Sequence, residues 1–146
     1  WGAEDLSGAL GAKAKRDEQG NYLEVFSYVR STCLLSAVAG EAHPIDAVYV
    51  DFKNTAGLAR ESKMAADMGF TGKITIHPKQ IDIVNDAFTP SDAEISEAAE
   101  LIQAFEEQQA AGNMAFSFRG QMVDVPHLTR ARKIMAIAAH IAGLTG

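Results

Sequence analysis

The run Gly69-Phe70-Thr71-Gly72-Lys73-Ile74-Thr75-Ile76-His77-Pro78-Lys79-Gln80 constrains the fold of this chain more than any other stretch. A short β-rich segment, Lys73 to Ile76, ends at a His77-Pro78 turn and passes into a helical pattern through Ile81, Val84 and Ala87 to Phe88. Pro78 suits the first turn of that helix, because the N–H it lacks has no intrahelical acceptor there. Upstream, Ile45 to Val50 reads as a strand closed by Asp51-Phe52-Lys53-Asn54. Thr55 to Met68 then reads as a helix with Leu58, Met64 or Ala65, and Met68 on one side, stopped by Gly69. Strand-helix-strand-helix order requires parallel pairing, and right-handed crossovers leave an open doubly wound sheet or an α/β barrel. Barrel chemistry gathers where strands end, so Asp51 and His77 are candidate site residues.

The flanking segments are mostly helical. Asp5 to Leu10 can form a short helical turn, and Lys13 to Asn21 is polar enough for an exposed loop. From Tyr22 to Ala39, Leu23, Phe26, Val29, Cys33 or Leu34, and Ala37 recur at three- and four-residue steps, which predicts a helix ending at Gly40. Ser91 with Glu94 resembles a capping box opening a helix from Asp92 to Ala111. Met114 to Phe118 and Gln121 to Val125 can pair around Arg119-Gly120, and His127 to Ala142 makes a last helix. The expected organisation is residues 1–88 as strand-helix units of a barrel and residues 89–146 as a helical extension with a ribbon. Two such units cannot close an eight-stranded barrel of about 250 residues, and the chain opens on Trp1 rather than Met. It reads as the C-terminal part of something larger.

Composition excludes several classes. Thirteen basic against 19 acidic residues leave a net charge of −6, unsuited to gripping nucleic acid or an anionic membrane. No apolar run reaches the roughly 18 residues that span a bilayer. Cys33 is the single cysteine, so no intrachain disulfide forms. A buried thiol in a cytoplasm-like compartment is the expectation. His43, His127 and His140 lack metal-ligand spacing, so zinc is not expected. Lys13, Lys15 and Arg16 read as solvated cations of a polar loop.

Several blocks in order carry a family resemblance: Trp1-Gly2-Ala3-Glu4-Asp5-Leu6, Ile45 to Phe52, Gly69 to Lys73, Ile76 to Ile81, and Gly120-Gln121-Met122-Val123-Asp124-Val125-Pro126. Together they make the chain resemble the C-terminal half of the citrate lyase β-subunit-like family, which includes malyl-CoA and citramalyl-CoA lyases. The resemblance implies a (β/α)₈ barrel, trimeric or hexameric, that makes or breaks a carbon–carbon bond between acetyl-CoA and a 2-oxo acid with Mg²⁺. It further implies an arginine that holds substrate carboxylate and a glutamate that shares the metal, both upstream of this sequence. Asn54 stands where relatives often place an acid.

The resemblance makes Asp5 the metal ligand, consistent with the preference of Mg²⁺ for carboxylate oxygen; on pattern alone Asp5 caps a helical turn. Glu4 points away from its neighbour and is read as non-ligating, while the Gly2-Ala3-Glu4 backbone can offer amides to a substrate carboxylate or form an ordinary turn. Asp124 matches the aspartate brought to a neighbouring subunit's site. A carboxylate shielded by apolar neighbours such as Met122 and Val125 can exchange a proton with the acetyl-CoA carbon; equally, Asp124 can cap the helix near Pro126. His77 orients substrate, lines the CoA channel or holds a tight turn, and Asp51 binds through water, holds a neighbouring loop or is an exposed turn carboxylate. The function these residues imply is a Mg²⁺-dependent lyase of citramalyl-CoA, malyl-CoA or citryl-CoA. The alternatives are a malate-synthase-like activity that also hydrolyses the thioester, and a non-catalytic assembly piece.

Overall fold

The computed structural model describes residues 1–144, which divide into two compact units, residues 1–88 and the described residues from Thr89 onward. In the first unit, α1 (Ala3–Leu10) is followed by α2 (Glu24–Ala39), β1 (Ile45–Asp46), α3 (Thr55–Met68), β2 (Gly72–Lys73), a 3₁₀ turn (Pro78–Gln80) and α4 (Ile81–Phe88). The predicted alternation is present, with β1 parallel to β2 and Ile45 opposite Gly72. Both strands are two residues long rather than running to Val50 and Ile76. The reason is the Gln80 side chain. After the Ile74 amide bonds the Asp46 carbonyl, Gln80 donates to the Tyr49 carbonyl at 2.8 Å and accepts from the Ile76 amide at 2.9 Å. A buried side-chain amide thus serves backbone groups that a ladder would otherwise pair.

Helix α3 begins where Asn54 accepts the Gly57 amide and ends at Gly69, whose φ of 107° is a left-handed cap. Its inward face is Leu58, Glu61, Ser62 and Ala65, whereas Met64 and Met68 lie outward. In α2 the inward residues are Phe26, Arg30 and Leu34. Cys33 is half-buried, not sealed in the core as expected. Leu34, Ala65 and Phe70 form a core cluster on which Trp1 and Phe88 pack.

The second unit contains α5 (Asp92–Ala110), β3 (Phe116–Phe118), β4 (Gln121–Val123) and α6 (Val125–Leu144). The predicted capping box is present: Ser91 accepts the Glu94 amide and the Glu94 carboxylate accepts the Ser91 amide. The ribbon turns at Arg119 and Gly120, with φ of 49° and 80°, the two left-handed positions of a type I′ hairpin. Its strands are shorter than expected, and α6 starts at Val125 rather than His127. Phe105, Val123 and Leu128 form the core here, with Phe116 edge-on to Phe105 at 4.8 Å.

Candidate functional site

Gly2 is the N-cap residue of α1, with no side-chain cap bond, so Asp5 does not cap this helix. Asp5 lies in the first turn, exposed, with no side-chain hydrogen bond or ion pair among the described residues. Its carboxylate leans back over Gly2: a Cβ there would stand 3.1 Å from Oδ2. The first-turn amides of Ala3, Glu4 and Asp5 have no intrahelical acceptor and point out of the helix end. This open end, with small residues at Gly2 and Ala3, is suited to anionic oxygen. The Glu4 carboxylate forms an ion pair with Lys15.

His77 and Asp51 occupy the turns that follow the two strands. His77 Nδ1 accepts the Lys79 amide at 3.1 Å, and its ring stacks on Phe52 at 4.9 Å with planes 7° apart. Asp51 is exposed and accepts the Lys53 amide at 3.2 Å. Both side chains therefore hold turns.

Asp124 precedes α6 in the second unit, where its Oδ1 lies 2.6 Å from Nδ1 of His127. The apolar shield expected around it is not formed, because Met122 and Val125 are 66% and 44% exposed. Residues alternate across the ribbon, and Val123 takes the inward position while Met122 faces out. His127, which spacing left unassigned, is the residue brought to Asp124.

Sequence reasoning missed a buried ionic cluster in the first unit. Asp46, fully buried, accepts Trp1 Nε1 at 2.7 Å and Arg30 Nε at 2.9 Å on Oδ1, and Arg30 Nη2 and Lys73 Nζ, each at 2.9 Å, on Oδ2. Lys73 also donates to Glu61 at 2.8 Å, and Arg16 meets the other Glu61 oxygen at 2.6 Å. Burial alone would raise the Asp46 pKa, but the Arg30 hydrogen bond, the Lys73 charge and the Trp1 bond outweigh it and hold the carboxyl below its ordinary range. Burial, with the Glu61 charge added, pushes the Tyr22 phenol well above its usual value. Arg16 is not a solvated loop cation: its guanidinium lies 3.8 Å from the Tyr22 ring centroid. A signal existed in Arg30, a charge on the apolar face of α2, and in Asp46 and Lys73, charges inside β-rich runs. Such residues are buried only when paired.

Arg16, Tyr22, Arg30, Tyr49 and Glu61 line a cleft of about 180 Å³, and Arg60, Met64 and Met68 a shallow groove of about 430 Å³ on α3. None of the sequence-predicted site residues lines either. Among the described residues no group of three or more His, Cys, Asp or Glu side chains converges on a metal-sized space.

A barrel-type parallel unit, an open helix end bearing a free carboxylate and a trailing helix-ribbon unit define the class. The chain belongs to the C-C bond lyase family of the TIM-barrel fold, whose model matches residues 1–143. It is similar to a mouse protein named mitochondrial citramalyl-CoA lyase, at 43% identity over 97% of this chain and 40% of that one. It is 38% identical to a (3S)-malyl-CoA thioesterase of Cereibacter sphaeroides over 97% of this chain and 48% of the relative. Among solved structures it resembles the protein CitE of Mycobacterium tuberculosis in complex with magnesium, acetoacetate and coenzyme A. That match has a TM-score of 0.85 and 40% identity, and covers 95% of this chain and 51% of CitE. The chain thus spans about half the length of the relatives it matches.

For a divalent cation the open end of α1 supplies the Asp5 carboxylate, without a side-chain partner among the described residues, beside small residues that let a hydrated ion approach. That fits Mg²⁺, which takes one or two carboxylates and keeps several waters, and does not fit a cage built wholly from this chain.

Proposed function

We propose that this chain carries part of the active site of a Mg²⁺-dependent carbon–carbon lyase acting on 3-hydroxydicarboxyl-CoA thioesters, with citramalyl-CoA or malyl-CoA as the preferred class. The observation that carries the reading is the Asp5 carboxylate, without a side-chain partner among the described residues and folded over Gly2 at the open end of α1, in a chain of this family. Asp5 holds the metal, and the Gly2-Ala3-Glu4 backbone offers amides to the substrate carboxylate. When bound, Mg²⁺ supplies electrophilic stabilisation of charge on a substrate oxygen. In the cleavage direction the substrate hydroxyl gives its proton to water and the bond between the carbinol carbon and the thioester α-carbon breaks. A 2-oxo acid forms, and the electron pair passes to the α-carbon as the thioester enolate, which takes a proton to give acetyl-CoA. Asp124 delivers that proton at a neighbouring subunit's site, and removes it in the condensing direction. A homo-trimer or hexamer is part of this reading. The low cysteine content supports a reducing compartment, and the name of the mouse relative makes a mitochondrial one as apt as the cytoplasm.

Thioester hydrolysis is the second reading, favoured by the name of the C. sphaeroides relative. The intact protein, given citramalyl-CoA or malyl-CoA with Mg²⁺, should yield acetyl-CoA plus pyruvate or glyoxylate, and Asp5→Asn should abolish this while remaining folded. Free CoA without acetyl-CoA would favour the hydrolase. Neither product would leave the assembly role.

A further inference from the structure

We propose that Trp1 and Asp46 are positioning residues for Asp5: the Asp46 carboxylate, itself held by Arg30 and Lys73, fixes the Trp1 indole and with it the first turn of α1 that carries the Asp5 carboxylate. The inference rests on the reading of Asp5 as a metal ligand. Helix α1 has only eight residues, short of the roughly 12–15 at which an isolated helix persists in water, so its placement depends on anchors. Its cap residue is Gly2, which makes no side-chain cap bond and has the widest backbone freedom of any residue. The Lys15–Glu4 pair on its surface is partly exposed and holds little.

Trp1 is the directional anchor. Its Nε1 donates to Asp46 at 2.7 Å, its backbone nitrogen lies 3.1 Å from the Ile45 carbonyl oxygen, and its ring meets Tyr22 edge-on at 5.2 Å. Asp46 is a fixed acceptor: four bonds from Trp1, Arg30 and Lys73 saturate its two oxygens, and the planar Arg30 fork spans both. The two ends of this link respond differently to change. Without the indole N–H, Asp46 keeps three bonds from charged donors and the cluster survives, whereas α1 loses its one directional hydrogen bond to the ionic cluster. Mg²⁺ demands near-ideal octahedral geometry, so a ligand free to drift appears as lost metal affinity.

Calorimetric titration of Mg²⁺ into the intact protein, Trp1→Phe and Asp5→Asn tests this. Asp5→Asn should bind no measurable Mg²⁺, and Trp1→Phe should bind about tenfold more weakly, the range of an outer-shell partner, while remaining folded. Coupling between sites is reciprocal, so saturating Mg²⁺ should slow exchange of the Trp1 indole proton in the unaltered protein, read by NMR. That measurement decides the matter if Trp1→Phe does not fold. Unweakened affinity in a folded Trp1→Phe, or an indole exchange rate indifferent to Mg²⁺, overturns the positioning role while leaving Asp5 a ligand. Normal Mg²⁺ binding by Asp5→Asn overturns the metal reading itself.

Discussion

Nδ1 of His127 stands 2.6 Å from Oδ1 of Asp124 and 3.2 Å from the Asp124 backbone nitrogen. One ring nitrogen can donate to the carboxylate when protonated or accept from the amide when bare, but not both at once. Asp124 is thereby tied to the start of α6 in either state, with its second oxygen left for other partners. If Asp124 moves the substrate proton, Asp124→Asn in the intact protein should lower kcat by about 10²-fold or more with CoA affinity nearly unchanged. His127→Ala should loosen the start of α6 and have a smaller effect on kcat. Steady-state kinetics beside CoA titration check this, and an unchanged kcat in Asp124→Asn would reduce Asp124 to a partner of the helix end.

Asp46→Asn should destabilise the protein by about 3–5 kcal/mol, the cost of leaving buried charges without their partner. Arg30 and Lys73 would then share one neutral oxygen and Glu61 alone. Urea unfolding followed by circular dichroism measures the loss, and a change under 1 kcal/mol would mean that water enters the cluster.

Stability should also fall in acid with a share traceable to Asp46. Its folded-state pKa is held below the ordinary 3.8, so the unfolded chain takes up the proton first. The contribution is complete above about pH 4 and is lost as pH falls through the depressed folded-state value. Melting temperatures from pH 6 to pH 2 should drop less steeply in Asp46→Asn than in the unaltered protein.

Gly57→Ala should destabilise the first unit by about 1–3 kcal/mol, although alanine is the better helix former by about 1 kcal/mol. An added Cβ would fall on the Tyr49 hydroxyl and lie 2.8 Å from Asn54 Nδ2, the side chain that caps α3. A gain in melting temperature would show that Tyr49 moves aside freely.

Ser91→Ala should cost about 1 kcal/mol by removing the hydroxyl that accepts the Glu94 amide at the start of α5, while the Ser91 backbone N–H keeps its bond to the Glu94 carboxylate. Denaturant unfolding monitored in the second unit tests it, with Phe105→Ala, expected to lose about 3–5 kcal/mol, as the core reference.

Local signals were legible wherever one residue and its near neighbours settle the outcome. Gly69 stops α3, Ser91 and Glu94 open α5, and Arg119-Gly120 turns the ribbon, each as the sequence predicts. The strands were legible in place but not in length, because the Gln80 amide intercepts Tyr49 and Ile76 from 31 and four residues away. The ordered blocks around Asp5 and Asp124 pointed to the family, since those residues lie beside the glycines, prolines and small side chains that make the blocks recognisable. Nothing local distinguished Met64 from Ala65, yet the first faces out and the second is buried.

Hydrophobic period, caps and turn residues act over a few positions, so the helices, their stops and the parallel strand-helix order could be read along the chain, while the family was legible as a resemblance carried by ordered sequence blocks. Packing is what brings Trp1, Arg30, Asp46, Glu61 and Lys73 together, sets His127 against Asp124 and turns Met122 away from Asp124. A buried charge is tolerated only beside its partner, and for Asp46 the partners lie 16, 27 and 45 residues away along the chain, brought to it by packing alone.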